Sequence, residues 1–231
     1  MERVQSEMNM VDLTICYGMT ETSPVSWQSR AGNTPFDKLI STVGLVHPHA
    51  ECKVVDVGGE TVPVGTTGEL LTRGYLVMDG GYWGDDSATA HAVNGGWMHT
   101  GDLGYIDAEG YCTIIGRAKD TIIRGGENIA PVEIENVLFA HPDIVQVSCV
   151  GVADTHFGEE ICACVVLRRG TDTRPAVAES IRELCREQLA HFKTPRYVRF
   201  VDSFPMTVSG KVQKHVLRSL SAKDLGLVST G

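Results

Sequence analysis

Short apolar runs cut by turn residues fill the first half of the chain, and helical periodicity enters only after about residue 118. Val11–Tyr17 (VDLTICY) reads as a short buried strand ending at Gly18. Between Val43 and Leu71 the runs Glu51–Val57 and Gly68–Leu71 are separated by Gly58-Gly59, Pro63 and Gly65, the texture of antiparallel strands and hairpins. Tyr105–Ile115 holds a further hairpin that turns at Asp107–Gly110. Past residue 118, Thr121–Arg124 and Asn128–Ile129 flank a turn at Gly125-Gly126. Pro131 suits a first helical turn, and Ile134, Val137 and Leu138 form an apolar stripe. Val145–Val152, Glu160–Leu167 and Tyr197–Val201 read as strands. Val177, Ile181, Leu184, Cys185 and Leu189 follow helical spacing, and a terminal helix is expected over Lys211–Leu220. The order βαββαβα over about 110 residues predicts an α+β domain.

Composition divides the chain at the same place. Residues 1–118 hold 6 Lys/Arg and 15 Asp/Glu, whereas residues 119–231 hold 14 of each; 17 of the 25 glycines precede residue 119. A domain boundary near Gly116–Lys119 follows, giving an acidic, loop-rich first part (1–117) and a balanced second part (118–231). The formal net charge of −9 argues against a general nucleic-acid binder, which needs a basic face. No run of about 18 apolar residues exists for a membrane span, and the first residues lack the apolar core of a signal peptide. Seven cysteines lack metal-ligand spacing and read as reduced thiols of a cytoplasmic protein. Cys162 and Cys164 share a strand face.

Four segments carry candidate chemistry. Tyr17-Gly18-Met19-Thr20-Glu21-Thr22-Ser23-Pro24 could set an aromatic face against a base, a hydroxyl on a phosphate and a carboxylate on Mg²⁺; the same string also fits an ordinary capped turn. In Gly96-Trp97-Met98-His99-Thr100-Gly101-Asp102-Leu103-Gly104 an aspartate between glycines could accept bonds from vicinal hydroxyls, or form an Asx-turn between strands. His99 has no evident partner and reads as structural. Gly116-Arg117-Ala118-Lys119-Asp120 leads into Arg124-Gly125-Gly126-Glu127-Asn128, where an arginine could clamp phosphate or ribose and paired glycines permit close approach of a ligand; a solvated surface hairpin is the alternative. Pro205-Met206-Thr207-Val208-Ser209-Gly210-Lys211 ends on a lysine at a loop tip, a point charge that suits phosphate; it is not a P-loop.

Taken in order, YGMTETSP, GWMHTGDLGY, GRAKDTIIRGGENIAPVEIE and PMTVSGKVQK resemble the adenylate-forming (AMP-binding) superfamily, most closely its fatty acyl-CoA synthetases. The resemblance implies a β-rich end of the large AMP-binding domain followed by a small mobile α+β domain, a short sheet flanked by helices. It implies ATP, Mg²⁺ and coenzyme A as reactants, and a fatty or related carboxylic acid as substrate. Tyr17, with Gly18 at the turn, would stack on adenine. Thr20 would bond phosphate oxygens, and Glu21 would ligate Mg²⁺. Asp102 would take the ribose hydroxyls with Arg117 beside it. Lys119 would be the hinge, and Lys211 the lysine that reaches the α-phosphate in the first half-reaction. Gly125, Gly126 and Phe157 would line the path of the thiol in the second.

Members of the superfamily are more than double this length, and their glycine-rich phosphate loop lies upstream of the YGMTE string. The chain therefore corresponds to the C-terminal portion, and on its own is expected to show no appreciable ATP–pyrophosphate exchange. Two other readings compete: a truncated, non-catalytic homologue acting as a nucleotide- or CoA-binding module, and an amino-acid adenylation domain. The continuous GGENIAPVEIE string and the lack of a following carrier motif disfavour the last. No residue pattern bears on oligomeric state.

Overall fold

The computed structural model describes residues 2–10, 12–171 and 175–227. Contacts divide the chain into two units, Met1–Ala118 and Lys119–Gly231. After helix α1 (Glu2–Met8), the first unit builds a small antiparallel sheet from three two-residue strands, β1 (Cys16–Tyr17), β2 (Trp27–Gln28) and β3 (Leu45–Val46). The strand expected over Val11–Tyr17 thus shrinks to two residues, and Val11 lies outside the described residues. The ladder stops because Ile15 donates its N–H to the Ser29 hydroxyl (2.8 Å) instead of a backbone carbonyl, while its own carbonyl still accepts from Ser29 (2.9 Å).

A larger antiparallel sheet follows from β4 (Ala50–Val55), β5 (Gly68–Gly74), β6 (Val93–Asn94), β7 (Trp97–Ile106) and β8 (Cys112–Arg117). Its order is β4-β5-β7-β6, with β8 also paired to β7. Helix α2 (Phe36–Ser41) and helix α3 (Asp86–Ala92) interrupt the strands. The Asp85 carboxylate caps α3 by accepting from Ala88 N–H at 2.8 Å. Trp27 of the small sheet and Val54, Leu70 and Cys112 of the large one share a single buried core, so the two sheets are held by apolar burial. Of the Gly96–Gly104 segment only Gly96 lies in a turn, the Gly95-Gly96 turn between β6 and β7 (φ 57° and 79°). The rest belongs to the ten-residue strand β7, whose burial alternates, so Asp102 lies within a strand rather than in a turn between strands.

The second unit opens with a hairpin, β9 (Ile122–Arg124) and β10 (Glu127–Ile129). Gly125 and Gly126 have φ of 59° and 89°, the left-handed pair that a two-residue hairpin turn with native twist demands. Helix α4 (Pro131–Leu138) leads into the long antiparallel pair β11 (Ile144–Asp154) and β12 (Gly158–Leu167). Helix α5 (Pro175–Gln188), strand β13 (Tyr197–Phe200), parallel to β12, and helix α6 (Lys214–Asp224) complete the unit. The terminal helix starts three residues later than expected, because residues 206–212 close a turn of their own.

Strand parity explains why β11 and β12 read as continuous apolar runs. Val147, Cys149, Ile161, Ala163 and Val165 face a core with Ile134 and Leu138 of α4 and Ile181 and Cys185 of α5. Val150, Val152, Cys162 and Cys164 face the other core, with Leu217 of α6 and with Phe204, which precedes that helix. Both faces are buried, so hydrophobicity does not alternate. Cys162 and Cys164 stand side by side, Sγ to Sγ 4.0 Å, with the Ser221 hydroxyl 3.2 Å from Cys164.

Candidate active site

The loop after β1 owes its shape to one residue without a side chain. A Cβ on Gly18 would lie 2.0 Å from the Pro24 carbonyl oxygen, so the loop folds back on itself only over glycine. Buried Thr22 staples the turn: its hydroxyl accepts from Met19 N–H (3.1 Å) and donates to the Met19 carbonyl (3.2 Å). Thr20 is exposed and Glu21 half-buried. The Met78 N–H donates to the Glu21 carbonyl (2.9 Å), and the Tyr82 hydroxyl donates to Glu21 Oε1 (2.7 Å). That bond raises the Tyr82 pKa above its ordinary value.

Asp102 lies in an arch of β7. Glu69 pairs with Leu103 and Leu71 with His99, so two steps along β5 face four along β7, and residues 100–102 bow out between them. The arch is tied down from below. The Thr100 hydroxyl donates to the Leu70 carbonyl (2.7 Å) and accepts from Asp102 N–H (3.1 Å). Glu69 accepts from Gly101 N–H and meets His99 Nδ1, each at 3.0 Å. His99 therefore has a carboxylate partner, 30 residues away along the chain and so without a local signal, and the pair supports the arch.

Three predicted residues converge on this point. The Tyr17 hydroxyl donates to Asp102 Oδ2 at 2.6 Å, and Arg117 Nε lies 2.9 Å from Asp102 Oδ1 across the β7–β8 pair. The aspartate is held between a phenol and a guanidinium, so its orientation is fixed before any ligand arrives. Burial, and then the Asp102 hydrogen bond, push the Tyr17 pKa well above the ordinary tyrosine value. A raised folded-state pKa favours the protonated form, so this contribution to stability is complete below about pH 10 and is lost as pH rises above it. In an alkaline absorbance titration two of the six tyrosines, Tyr17 and Tyr82, should ionise later than the rest, and Tyr17→Phe should remove one late step. Loss of an ordinary, early-titrating tyrosine instead would show that Tyr17 is not held this way.

Other predicted residues lie in the second unit. Lys119, exposed, is its first residue. Gly125, Gly126 and Phe157 come together: Gly125 N–H donates to the Phe157 carbonyl (2.8 Å), and a Cβ on Gly125 would sit 3.1 Å from the Phe157 ring. Lys211 follows a separate tight turn. Thr207 accepts from Gly210 N–H (2.9 Å) at its carbonyl and from Lys211 N–H (3.0 Å) at its hydroxyl, while its own N–H donates to the Lys211 carbonyl (2.8 Å). The backbone of Lys211 is thus fixed, and its exposed ammonium has no hydrogen-bond or ion-pair partner among the described residues.

Among the described residues no cluster of three or more His, Cys, Asp or Glu could cage a metal, and no helix is long and apolar enough to cross a membrane. A magnesium ion carried by a nucleotide needs no cage. It keeps most of its water and phosphate ligands and takes one or two carboxylates from protein. Glu21, oriented through Oε1 by Tyr82 and with no described partner on its other oxygen, fits that requirement.

Tyr17, Asp102 and Arg117 thus cluster within the first unit, and the lysine-tipped turn belongs to the second. The chain belongs to the AMP-binding enzymes: residues 1–83 match the AMP-binding enzyme family, and residues 133–211 match the AMP-binding enzyme C-terminal domain. It is 44% identical over 229 residues to the mitochondrial medium-chain acyl-CoA ligase of Danio rerio, matching 98% of this chain and 37% of that protein. It is 47% identical over 232 residues to the YngI protein of Bacillus subtilis, matching 41% of that protein. Among solved structures, ATP-bound MatB from Rhodopseudomonas palustris superposes with a TM-score of 0.82 at 36% identity, over 92% of this chain and 41% of that one. The chain spans about two fifths of the length of the curated relatives it matches, and corresponds to their acyl-CoA synthetase-type C-terminal portion.

Proposed function

We propose that the chain is the C-terminal working part of an AMP-forming acid–thiol ligase. In the first half-reaction a carboxylate oxygen attacks the α-phosphorus of ATP and pyrophosphate leaves. In the second, the sulfur of coenzyme A attacks the acyl carbon and AMP leaves. The substrate is a fatty or related carboxylic acid, in line with the name of the Danio rerio relative. The observation that carries this reading is the preset Tyr17–Asp102–Arg117 cluster. Such a carboxylate still has lone pairs to accept from the two ribose hydroxyls.

In this reading the Tyr17 ring lies along adenine, Gly18 lets the loop close on the nucleotide, and the Thr20 hydroxyl donates to phosphate. Glu21 would hold the magnesium ion, which neutralises phosphate charge during displacement. The unpartnered ammonium of Lys211 meets charge developing between carboxylate and α-phosphate. Lys119 serves as the hinge at the unit boundary, and Gly125, Gly126 and Phe157 receive the pantetheine arm. The seven free thiols suit a reducing compartment, the cytoplasm in our reading.

Calorimetric titration of the chain with AMP tests the nucleotide site. Saturable binding is expected, and Asp102→Ala should weaken it about 10- to 100-fold, the loss of a charged hydrogen-bond acceptor. Binding that ignores the Asp102 substitution contradicts the assignment.

A further inference from the structure

A carboxylate is buried where the mechanism so far has no use for it. Glu160, 1% exposed, lies in β12 beside the Gly125-Gly126 turn. Burying a charge is costly unless it is paired with good geometry, and the pairing here is a two-bond fork. Arg124 Nε donates to Glu160 Oε2 (2.9 Å) and Nη2 to Oε1 (2.8 Å). Arg196 stands by, with Nη1 3.8 Å from Glu160 and 2.9 Å from Asp154.

The clamped guanidinium does something besides neutralise Glu160. Its central carbon lies 4.1 Å from the centroid of the Phe157 ring, a cation–π contact. The Phe157 backbone is tied at both ends: its N–H donates to Asp154 Oδ1 (2.9 Å), and its carbonyl accepts from Gly125. The His156 ring meets Phe157 edge-on at 4.5 Å. Backbone bonds alone leave the ring free to rotate; the arginine, together with the His156 ring, holds it beside the glycine turn.

We propose that Arg124 is a positioning residue for the thiol half-reaction: clamped by Glu160, it fixes the Phe157 ring against the Gly125-Gly126 turn, so that ring and turn meet the pantetheine arm as one preformed surface. This inference rests on the acid–thiol ligase reading. Preorganisation of this kind acts on affinity by removing the cost of ordering the ring and turn on binding.

The test is a titration of the whole chain with coenzyme A, followed by the amide resonances of Gly125, Gly126 and Phe157. In the native chain these should shift saturably. Arg124→Met should raise the dissociation constant about tenfold, the cost of re-ordering one or two freed groups. Because Arg124→Met strands a buried charge and can unfold the unit, Arg124→Met/Glu160→Gln is measured beside it and should show the same loss in a folded chain. Arg124→Lys keeps a cation near the ring without the fork and should fall between the native and Met values. Met variants that bind coenzyme A as tightly as the native chain, with the same shifts, overturn the inference. Absence of any shift in the native chain overturns instead the ligase reading beneath it.

Discussion

Lys211→Ala should cut acid-dependent ATP–pyrophosphate exchange by about 10²–10³-fold, the usual loss for one charge-stabilising donor, while leaving thioester formation from supplied acyl-adenylate unchanged. The assay needs a complete enzyme. It is made by joining the part of the Danio rerio ligase that precedes the matched region to Met1 of this chain, since that relative is 44% identical over the shared part. The structure gives the reason for the expected size. The turn at residues 207–210 pins the Lys211 backbone through Thr207, yet no carboxylate among the described residues claims the ammonium. Lys214, three residues on, shows the contrast: its Nζ is held by Glu135 at 2.8 Å and by the Cys149 carbonyl at 3.4 Å, a structural cation. An unclaimed ammonium on a rigid stem can serve charge that appears only in a transition state. Equal loss of both half-reactions would count against this assignment, because Lys211 is given a role in only one.

Gly18→Ala should destabilise the first unit by about 3 kcal/mol, the upper range for forced overpacking, and should abolish AMP binding by the chain. The added methyl would meet the Pro24 carbonyl oxygen at 2.0 Å, Pro24 carbonyl carbon at 2.8 Å and Val25 Cα at 2.9 Å, all backbone atoms that no rotamer change can move aside. Tyr17 and Glu21 sit on either side of that pinch, so the loop cannot relax without shifting both. Gly101→Ala is the comparison. Its site has open space around it and a φ of 69°, so it should cost only about 1–2 kcal/mol of left-handed strain. Urea unfolding of the two variants, with AMP titration of each, checks the contrast. Equal effects at the two positions would mean that the Gly18 pinch does not shape the loop.

What could be read from the residues depended on whether a signal was local. The Gly125-Gly126 turn, the lysine-tipped turn before Lys211 and the division near Lys119 announce themselves through glycine, proline and charge over a few residues. So does the α4 stripe of Ile134 and Leu138, which becomes buried core. Long-range partners do not announce themselves. Glu69, Tyr82 and Glu160 look like ordinary polar positions, yet they support Gly101, Glu21 and Arg124 across 32, 61 and 36 residues of chain. The glycines around Asp102 left turn and strand undecided for a different reason. Flanking glycine is common to turns and to bulged strands, and only the β5 and β8 neighbours decide for the strand. Likewise the Val11–Tyr17 run carries strand propensity over its length, but a ladder extends only as far as a partner does, and β2 offers two residues.

The same fusion tests the central claim most directly, through its products. Incubated with ATP, magnesium, coenzyme A and a medium-chain fatty acid, it should yield acyl-CoA and AMP in equal amounts, read by mass spectrometry, and the yield should collapse in Asp102→Ala. ADP in place of AMP, or an acyl-CoA yield untouched by the Asp102 substitution, would contradict the account.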